Sequence, residues 1–197
     1  ITESGGLRLY PRWARSPFQG MPTVPSNTSI AFVSDRGGET DIYRMEPSGN
    51  HVYRLTDSQA RDEAPFWSPD GSLIAFQSFR DGDGEICVME DSGLGQRNLT
   101  SHPAQDGNPA WSPDGTLIAF ESDRDGNDEV YVMNADGSGQ TRLTNNPALD
   151  SRPSWSPDGA SIAFSSDHEG NLEIYMMSAD GSGQTNLTND QGHDWVP

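Results

Sequence analysis

The amino-acid sequence repeats itself every 44 residues. The pentapeptide Trp-Ser-Pro-Asp-Gly begins at Trp67, Trp111 and Trp155, and these positions are separated by 111−67=44 and 155−111=44 residues. Repeats of roughly 40–50 residues are typical of architectures in which each unit buries apolar side chains against its neighbours. An Ile-Ala-Phe triplet and a Leu-Thr pair keep the same spacing, beginning at Ile30, Ile74, Ile118 and Ile162 and at Leu55, Leu99, Leu143 and Leu187.

One unit of this repeat is predicted to form four short antiparallel strands, at residues 109–111, 116–122, 129–134 and 141–144. A Ser-Pro-Asp-Gly turn separates the first two strands, and an Asp-Gly turn separates the last two. The second and third strands carry apolar residues on both faces, which indicates strands that are covered on both sides. Frequent Pro and Gly, and the lack of a long helical period, exclude a helical solenoid.

Four antiparallel strands in each unit of this length predict an all-β fold, a β-propeller of four-stranded blades. We expect four repeats, at about residues 22–65, 66–109, 110–153 and 154–197, with partial blade strands at both ends. Residues 1–21 are predicted to hold the outer strand of a partial blade and a connector. Three explanations of the ends are open: a piece of a larger ring, a small closed propeller, or copies that associate and close the array.

The composition argues against several classes of partner. The net charge is −18 at pH 7, and all 12 cationic side chains are arginine. Phosphate binding needs clustered cations, so nucleic acid is not expected as a partner. No apolar run approaches the roughly 18 residues of a membrane-spanning helix, so membrane insertion is not expected. The acidic balance is compatible with a basic partner, with metal cations, or with an acidic surface that only confers solubility.

The repeated text Pro-x-Trp-Ser-Pro-Asp-Gly-x-x-Ile-Ala-Phe, followed by Ile-Tyr-x-Met, Asp-Gly-Ser-Gly and Leu-Thr, resembles the WD-repeat-like propellers of the TolB family. The resemblance spans about residues 22–197. It implies a non-catalytic, periplasmic or extracellular propeller that binds protein partners of the bacterial envelope. Similar repeats occur in the propeller halves of prolyl-oligopeptidase-like peptidases and in bacterial surface proteins. Two alternatives therefore stand beside the interaction scaffold: an accessory propeller of a larger enzyme, and a calcium- or carbohydrate-binding surface module.

Four aspartates that share the 44-residue spacing are candidate partner-binding residues. Each lies three positions before a proline, at the start of a blade, and one hypothesis is that they form a carboxylate ring at one mouth of the channel. The alternative is architectural: each carboxylate accepts local hydrogen bonds and fixes the connection between blades. Trp195 lies outside the repeated tryptophan position and is a fifth candidate, for an exposed apolar contact. The four aspartates are Asp62, Asp106, Asp150 and Asp194.

The loops between the second and third strands are rich in carboxylates and contain glycine. Alternating oxygen ligands around a glycine bend are typical of the opening of a calcium loop, although the full EF-hand spacing is missing. The alternative is a solvated loop in which Arg36, Arg80 and Arg124 pair with nearby carboxylates. The candidate calcium ligands are Asp81, Asp83, Asp123, Asp125 and Asp128.

The sequence predicts no enzyme and no cofactor other than this possible calcium. The four histidines occupy four different repeat positions, and neither a His-Glu-x-x-His nor a Gly-x-Ser-x-Gly motif is present. Because the repeats are so alike, we expect functional residues among those that depart from the pattern. The departures are Phe18, Met21, Cys87, His168 and Trp195.

Overall fold

The computed structural model describes residues 12–13 and 29–197 of the chain, and every regular element in that part is a β-strand. The strands form four antiparallel sheets of four strands each, and within each sheet the strands pair in chain order. The strands are β1 (Arg12–Trp13), β2 (Ile30–Ser34), β3 (Asp41–Met45), β4 (Tyr53–Arg54), β5 (Asp62–Trp67), β6 (Leu73–Ser78), β7 (Glu85–Glu90), β8 (Arg97–Asn98), β9 (Asp106–Trp111), β10 (Leu117–Ser122), β11 (Glu129–Asn134), β12 (Thr141–Arg142), β13 (Asp150–Trp155), β14 (Ser161–Ser166), β15 (Glu173–Ser178) and β16 (Thr185–Asn186).

The predicted all-β fold of four-stranded blades is confirmed. In the third sheet, β11 has the predicted bounds, and β10 begins one residue later than predicted. The first strand, β9, begins at Asp106 rather than at residue 109, and the fourth strand, β12, ends at Arg142. Over residues 12–13 and 29–197, the sheets follow one another without closing into a ring.

The first strand of the second, third and fourth sheets contains one extra residue. In the third sheet this explains why β9 starts earlier than predicted. The register shifts by one residue within β5, β9 and β13, and a residue there has a positive φ: Ala64 at 49°, Asn108 at 48° and Arg152 at 54°. Such a bulge bends the strand and leaves its extra residue unpaired. Contacts between β5 and β9 and between β9 and β13 bring these bent strands together.

The apolar cores lie between consecutive sheets, as the two-sided strands predicted. One cluster joins the second sheet to the third and includes Trp111, Ile118 and Phe120 of the third sheet. Equivalent clusters join the first sheet to the second and the third to the fourth. Trp67 and Trp111 are buried in these cores and Trp155 is partly buried, so the repeated tryptophan belongs to the interface between blades.

Cys87 departs from the repeat pattern by standing where three other units have tyrosine, and it is a core residue. Its side chain is buried in the cluster between the first and second sheets. Burial raises the pKa of its thiol to about 12. The thiol therefore stays protonated at neutral pH and is not a reactive nucleophile.

The two ends of the array differ from its middle. The strand that pairs with β2 is β1, which comes from residues 1–21, the segment that the repeat spacing assigned to a partial blade and a connector. At the other end, Leu187 is 53% exposed, although Leu55 and Leu99 at the equivalent position are each 8% exposed. Phe18, Met21 and the predicted outer strand at residues 4–10 lie outside the described residues.

The glycine of the Asp-Gly turn makes a close contact between blades. Gly137 has a φ of 92°, and a Cβ atom added there would lie 2.8 Å from the carbonyl oxygen of Leu99 in the preceding sheet. Gly93 and Gly181 make the same approach to Leu55 and Leu143. The repeat therefore requires glycine here for two reasons, the backbone conformation and the space.

We expect Gly137→Ala to lower the free energy of unfolding by about 2–4 kcal/mol, through backbone strain together with overpacking. Urea unfolding measures this loss. Gly126→Ala is the matched control, because Gly126 has a φ of 109° but nothing within 4 Å of an added Cβ. In this control the free energy of unfolding should fall only by the smaller contribution that comes from backbone strain. Equal losses in the two variants would contradict a role for the contact with Leu99.

Candidate functional site

Each blade has two ends, and they differ in chemistry. The turns that join first to second strands and third to fourth strands lie at one end, which we call the turn face. In the second, third and fourth sheets a backbone hydrogen bond connects the two turns, such as Ala135 N to Thr116 O at 3.0 Å. The opposite end, which we call the loop face, carries the loops between second and third strands and the linkers between blades. All the predicted aspartate sites lie toward the loop face.

The repeated aspartates begin the first strands. Asp62, Asp106 and Asp150 are fully buried at the start of β5, β9 and β13. The backbone N–H of each donates to a carbonyl of the preceding sheet, Asp106 N to Gly84 O at 2.7 Å, for example. The backbone of Asp194, which is partly buried, makes the equivalent bond to Leu172 O at 2.7 Å. These contacts support the architectural alternative for the three buried carboxylates.

An arginine from the next loop neutralises the aspartate in the second and third sheets. Arg124 Nη2 donates to both carboxylate oxygens of Asp106, at 3.0 and 2.9 Å. Its Nε donates to Ser122 Oγ at 2.8 Å, and its Nη1 donates to Gln140 Oε1 at 2.7 Å. Gln140 Nε2 in turn donates to Leu99 O at 3.1 Å, so this chain of bonds ends on the preceding sheet. Arg80 and Gln96 repeat the arrangement with Asp62.

The fourth sheet lacks this arginine. His168 stands 44 residues after Arg124, and no ion pair among the described residues involves Asp150. Asn146 Nδ2 donates to Asp150 Oδ2 at 2.7 Å instead. Burial raises the pKa of Asp150, and the neighbouring Ser166 and Asn146 side chains oppose that rise only in part.

A second set of carboxylates, which the sequence reasoning missed, is also buried and shared by every blade. Glu129 in β11 accepts hydrogen bonds from Arg142 Nη2 at 2.5 Å, from Thr144 Oγ1 at 2.6 Å and from Asn146 N at 3.1 Å. Thr144 is the threonine of the repeated Leu-Thr pair, which explains why that pair recurs. The pattern was visible as an acidic residue at the start of every third strand, at Asp41, Glu85, Glu129 and Glu173.

The predicted calcium ligands are dispersed among internal partners. Asp123 Oδ1 accepts a hydrogen bond from Gln105 N at 2.8 Å, and Asp125 pairs with Arg142 at 3.3 Å. Asp81 is exposed and Asp83 is half-buried. Burial, together with the charge of Asp123, raises the pKa of Asp128. Across the described residues, no group of three or more His, Cys, Asp or Glu side chains is arranged to hold a metal ion, so this geometry gives the calcium hypothesis no support.

The turn face carries free negative charge. Asp114 Oδ1 accepts hydrogen bonds from Ser112 Oγ at 2.6 Å and from Thr116 N at 3.0 Å, within the Ser-Pro-Asp-Gly turn. The serine hydroxyl is the largest cause of the lowered pKa of this exposed carboxylate. Serine hydroxyls likewise lower the pKa of the four equivalent exposed residues, which therefore stay ionised well below neutral pH. They are Asp70, Asp136, Asp158 and Asp180.

Large apolar side chains are exposed on the fourth sheet and beyond it. Leu187 and Trp195 are both 53% exposed, and Met176 is 40% exposed. The Trp195 ring stacks on His193, with ring centroids 6.1 Å apart. The fourth sheet thus presents a surface of the kind that a following blade covers elsewhere in the array. Association of copies to close the array stays a prediction.

The model of the TolB beta propeller domain family matches residues 57–140 and 124–197, together well over half of the sequence. The chain belongs to this family. The identification agrees with the blades and with the repeated turns described above. A comparison with curated proteins finds no significant relative.

Solved structures of TolB proteins share the fold of this TolB-type propeller. A putative TolB from Agrobacterium tumefaciens is 27% identical with a TM-score of 0.73, over 80% of this chain and 60% of that one. TolB from Acinetobacter baumannii is 24% identical with a TM-score of 0.77, over 95% of this chain and 45% of that one. An oligogalacturonate lyase from Vibrio parahaemolyticus is 14% identical with a TM-score of 0.65, over 91% and 54% of the two chains. The present chain thus spans about half the length of these proteins. No helix in its described part is long and apolar enough to cross a membrane.

Proposed function

We propose that this chain is a non-catalytic scaffold for protein–protein interaction, and that its turn face binds a basic surface of a protein partner. The observation that carries the proposal is the set of five exposed, ionised aspartates on one face of a rigid frame. Like charges fixed on one face raise the local potential and attract a positively charged partner. Membership of the TolB propeller family supports a location in the periplasm or outside the cell, and a partner from the bacterial envelope.

The internal chemistry of the blades supports this assignment of roles. The buried carboxylates on the loop side hold Arg80, Arg124 and Arg142, so their charges are used inside the fold. The five exposed aspartates of the turn face instead accept hydrogen bonds only from their own turns, among the described residues, and their carboxylates remain at the surface. The likeness to a lyase, at 14% identity, supports the fold alone. It identifies no residue that would favour the alternative of an accessory enzyme domain.

A matched pair of triple variants tests the turn face. Asp114→Asn, Asp158→Asn and Asp180→Asn together remove three charges there while keeping an oxygen that accepts the turn hydrogen bonds. We expect binding to a purified envelope partner, first captured from an envelope extract, to weaken at least about tenfold and to depend less on salt. Isothermal titration at several NaCl concentrations gives both quantities.

The control removes three exposed charges from the loop side, by Asp57→Asn, Asp81→Asn and Glu169→Gln. It changes the net charge equally and should leave the affinity within about twofold of the original. Equal loss in both triple variants would indicate a nonspecific charge effect. An unchanged affinity in the turn-face variant, or no specific partner at all, would overturn the proposal.

A further inference from the structure

The third sheet defines a complete site for a guanidinium group. Arg124 places its guanidinium 4.7 Å from the centroid of the Tyr131 ring and donates hydrogen bonds to three acceptors. The acceptors are the Asp106 carboxylate, Ser122 Oγ and Gln140 Oε1. A planar cation with several donors fits such a set, because each acceptor receives a separate N–H group.

The fourth sheet keeps every acceptor and lacks the cation. Asp150, Ser166 and Gln184 occupy the positions of Asp106, Ser122 and Gln140, and Tyr175 occupies the position of Tyr131. The backbone has the same course, because the amides of Arg124 and His168 each donate to the preceding serine hydroxyl at 3.4 Å. The side chain at the arginine position is therefore the main difference between the two sites.

Asp150 lacks the counter-ion that Asp106 has, and a neutral donor, Asn146 Nδ2, bonds to its Oδ2 atom instead. The Asp150 side chain is fully buried, and its Oδ1 atom accepts no hydrogen bond in the part of the chain that the structure describes. Burying a carboxylate without a paired cation is unfavourable, which agrees with the raised pKa of this group. A cation that reached Asp150 would remove that cost.

The glutamine of the third sheet bonds to the preceding blade, and the glutamine of the fourth sheet makes no such bond to a described residue. Gln140 Nε2 bonds to Leu99 O in the preceding sheet, but among the described residues Gln184 Nε2 bonds only to Gly181 O of its own turn, at 3.4 Å. Gln184 is exposed, so its Oε1 atom is available to a donor from outside. A guanidinium bound between Asp150 and Gln184 would restore the chain of bonds seen in the third sheet.

His168 stands at the arginine position, and its imidazole is held less firmly than the guanidinium of Arg124, which makes several hydrogen bonds. The imidazole is exposed, and it contacts the edge of the Tyr175 ring with centroids 6.4 Å apart. No hydrogen bond or ion pair of this ring ties it to another described side chain. Histidine is also shorter than arginine and does not bond to Asp150, so a longer side chain can approach once the imidazole rotates away.

We propose that the fourth sheet binds the guanidinium group of an arginine side chain from a partner protein, between Asp150 and Tyr175 and in the place that Arg124 fills in the third sheet. This site lies on the loop face and does not depend on the turn-face proposal. Lysine should be a poor substitute, because an ammonium group cannot supply the planar fork of donors that the three acceptors need.

The test is a titration of the intact, ¹⁵N-labelled chain with N-acetylarginine amide, followed by NMR. We expect saturable shifts at the amides of residues 150, 166, 168 and 175, and binding of N-acetyllysine amide that is at least about tenfold weaker. Asp150→Asn should abolish the shifts. His168→Arg should also abolish them, because the introduced guanidinium fills the site, and it should raise the thermal midpoint of unfolding.

Glu169→Gln is the matched control, since it removes one exposed charge from the same loop without touching the acceptors. It should bind the probe as the original chain does. Absence of saturable shifts in the original chain, or retention of them in His168→Arg, would overturn the proposal even if Asp150→Asn fails to fold. Much tighter binding of free arginine than of the capped probe would also overturn it, in favour of a metabolite site. A turn-face variant that loses partner binding should still bind the arginine probe, because the two sites share no residue. Each proposal can therefore be refuted without the other.

Discussion

Replacing Glu129 by alanine should lower the free energy of unfolding by about 3–5 kcal/mol, because it breaks a buried ion pair by removing one partner. Glu129 is fully buried, and its carboxylate accepts hydrogen bonds from Arg142, Thr144 and the backbone of Asn146. Alanine would leave these donors without their acceptor, and with them Asn127 Nδ2, which donates to Glu129 Oε1 at 3.1 Å. The guanidinium, whose side chain is 25% exposed, would lose its nearest anion. Urea unfolding monitored by tryptophan fluorescence measures the loss.

The repeat supplies a control for the charge. Glu173 occupies the same position in the fourth sheet and accepts a hydrogen bond from Asp190 N at 3.0 Å, but the residue equivalent to Arg142 there is Asn186. Glu173→Ala removes the same carboxylate without leaving a cation behind, so it should cost clearly less than Glu129→Ala. Glu129→Gln keeps the volume and removes the charge, and its loss should fall between the two. Equal losses at the two glutamates would show that Arg142 does not depend on Glu129.

The sequence predicted the blades because their spacing and their local patterns agree. The predicted bounds of β11 are those of the structure, since alternating apolar residues and an Asp-Gly turn mark that strand clearly. The start of β9 was missed because Asp-Gly-Asn-Pro does not resemble a strand, and the bulge at Asn108 is what allows those residues to pair with β10. The first strand of the first sheet was missed because the Trp-Ser-Pro-Asp-Gly text is absent there.

The candidate site was predicted less well, and the reason is distance along the chain. The 44-residue spacing identified Asp106, but the residue that neutralises it, Arg124, lies 18 positions later in another loop. Equal spacing therefore located a set of equivalent side chains without showing whether they face solvent or the interior. The expectation that function resides in departures from the pattern directed attention to His168. That this departure leaves the buried carboxylate of Asp150 without a counter-ion became visible only in the structure.

Phe120→Ala should cost about 3–5 kcal/mol, because it removes a fully buried aromatic ring from the interface between the second and third sheets. The ring packs beside Tyr131, with centroids 5.6 Å apart. Both neighbouring blades lose contacts, since the cluster contains residues from each. In a stacked array, stability is approximately the sum of the blade terms and the interfaces between neighbours. A loss at this interface therefore weakens the coupling between the two halves of the array.

Phe164→Ala removes the same ring from the interface between the third and fourth sheets, where it is equally buried. Among the described sheets the fourth has a neighbour on one side only, so weakening this interface should let it open alone, before the remaining blades unfold. Hydrogen exchange followed by mass spectrometry should then show early exchange confined to residues 150–186 in Phe164→Ala, and spread over both halves in Phe120→Ala. If the two variants showed the same exchange pattern, the array would unfold as one cooperative unit. The lack of an ion pair at Asp150, where His168 stands in place of an arginine, would then weaken the whole molecule and not only its last blade.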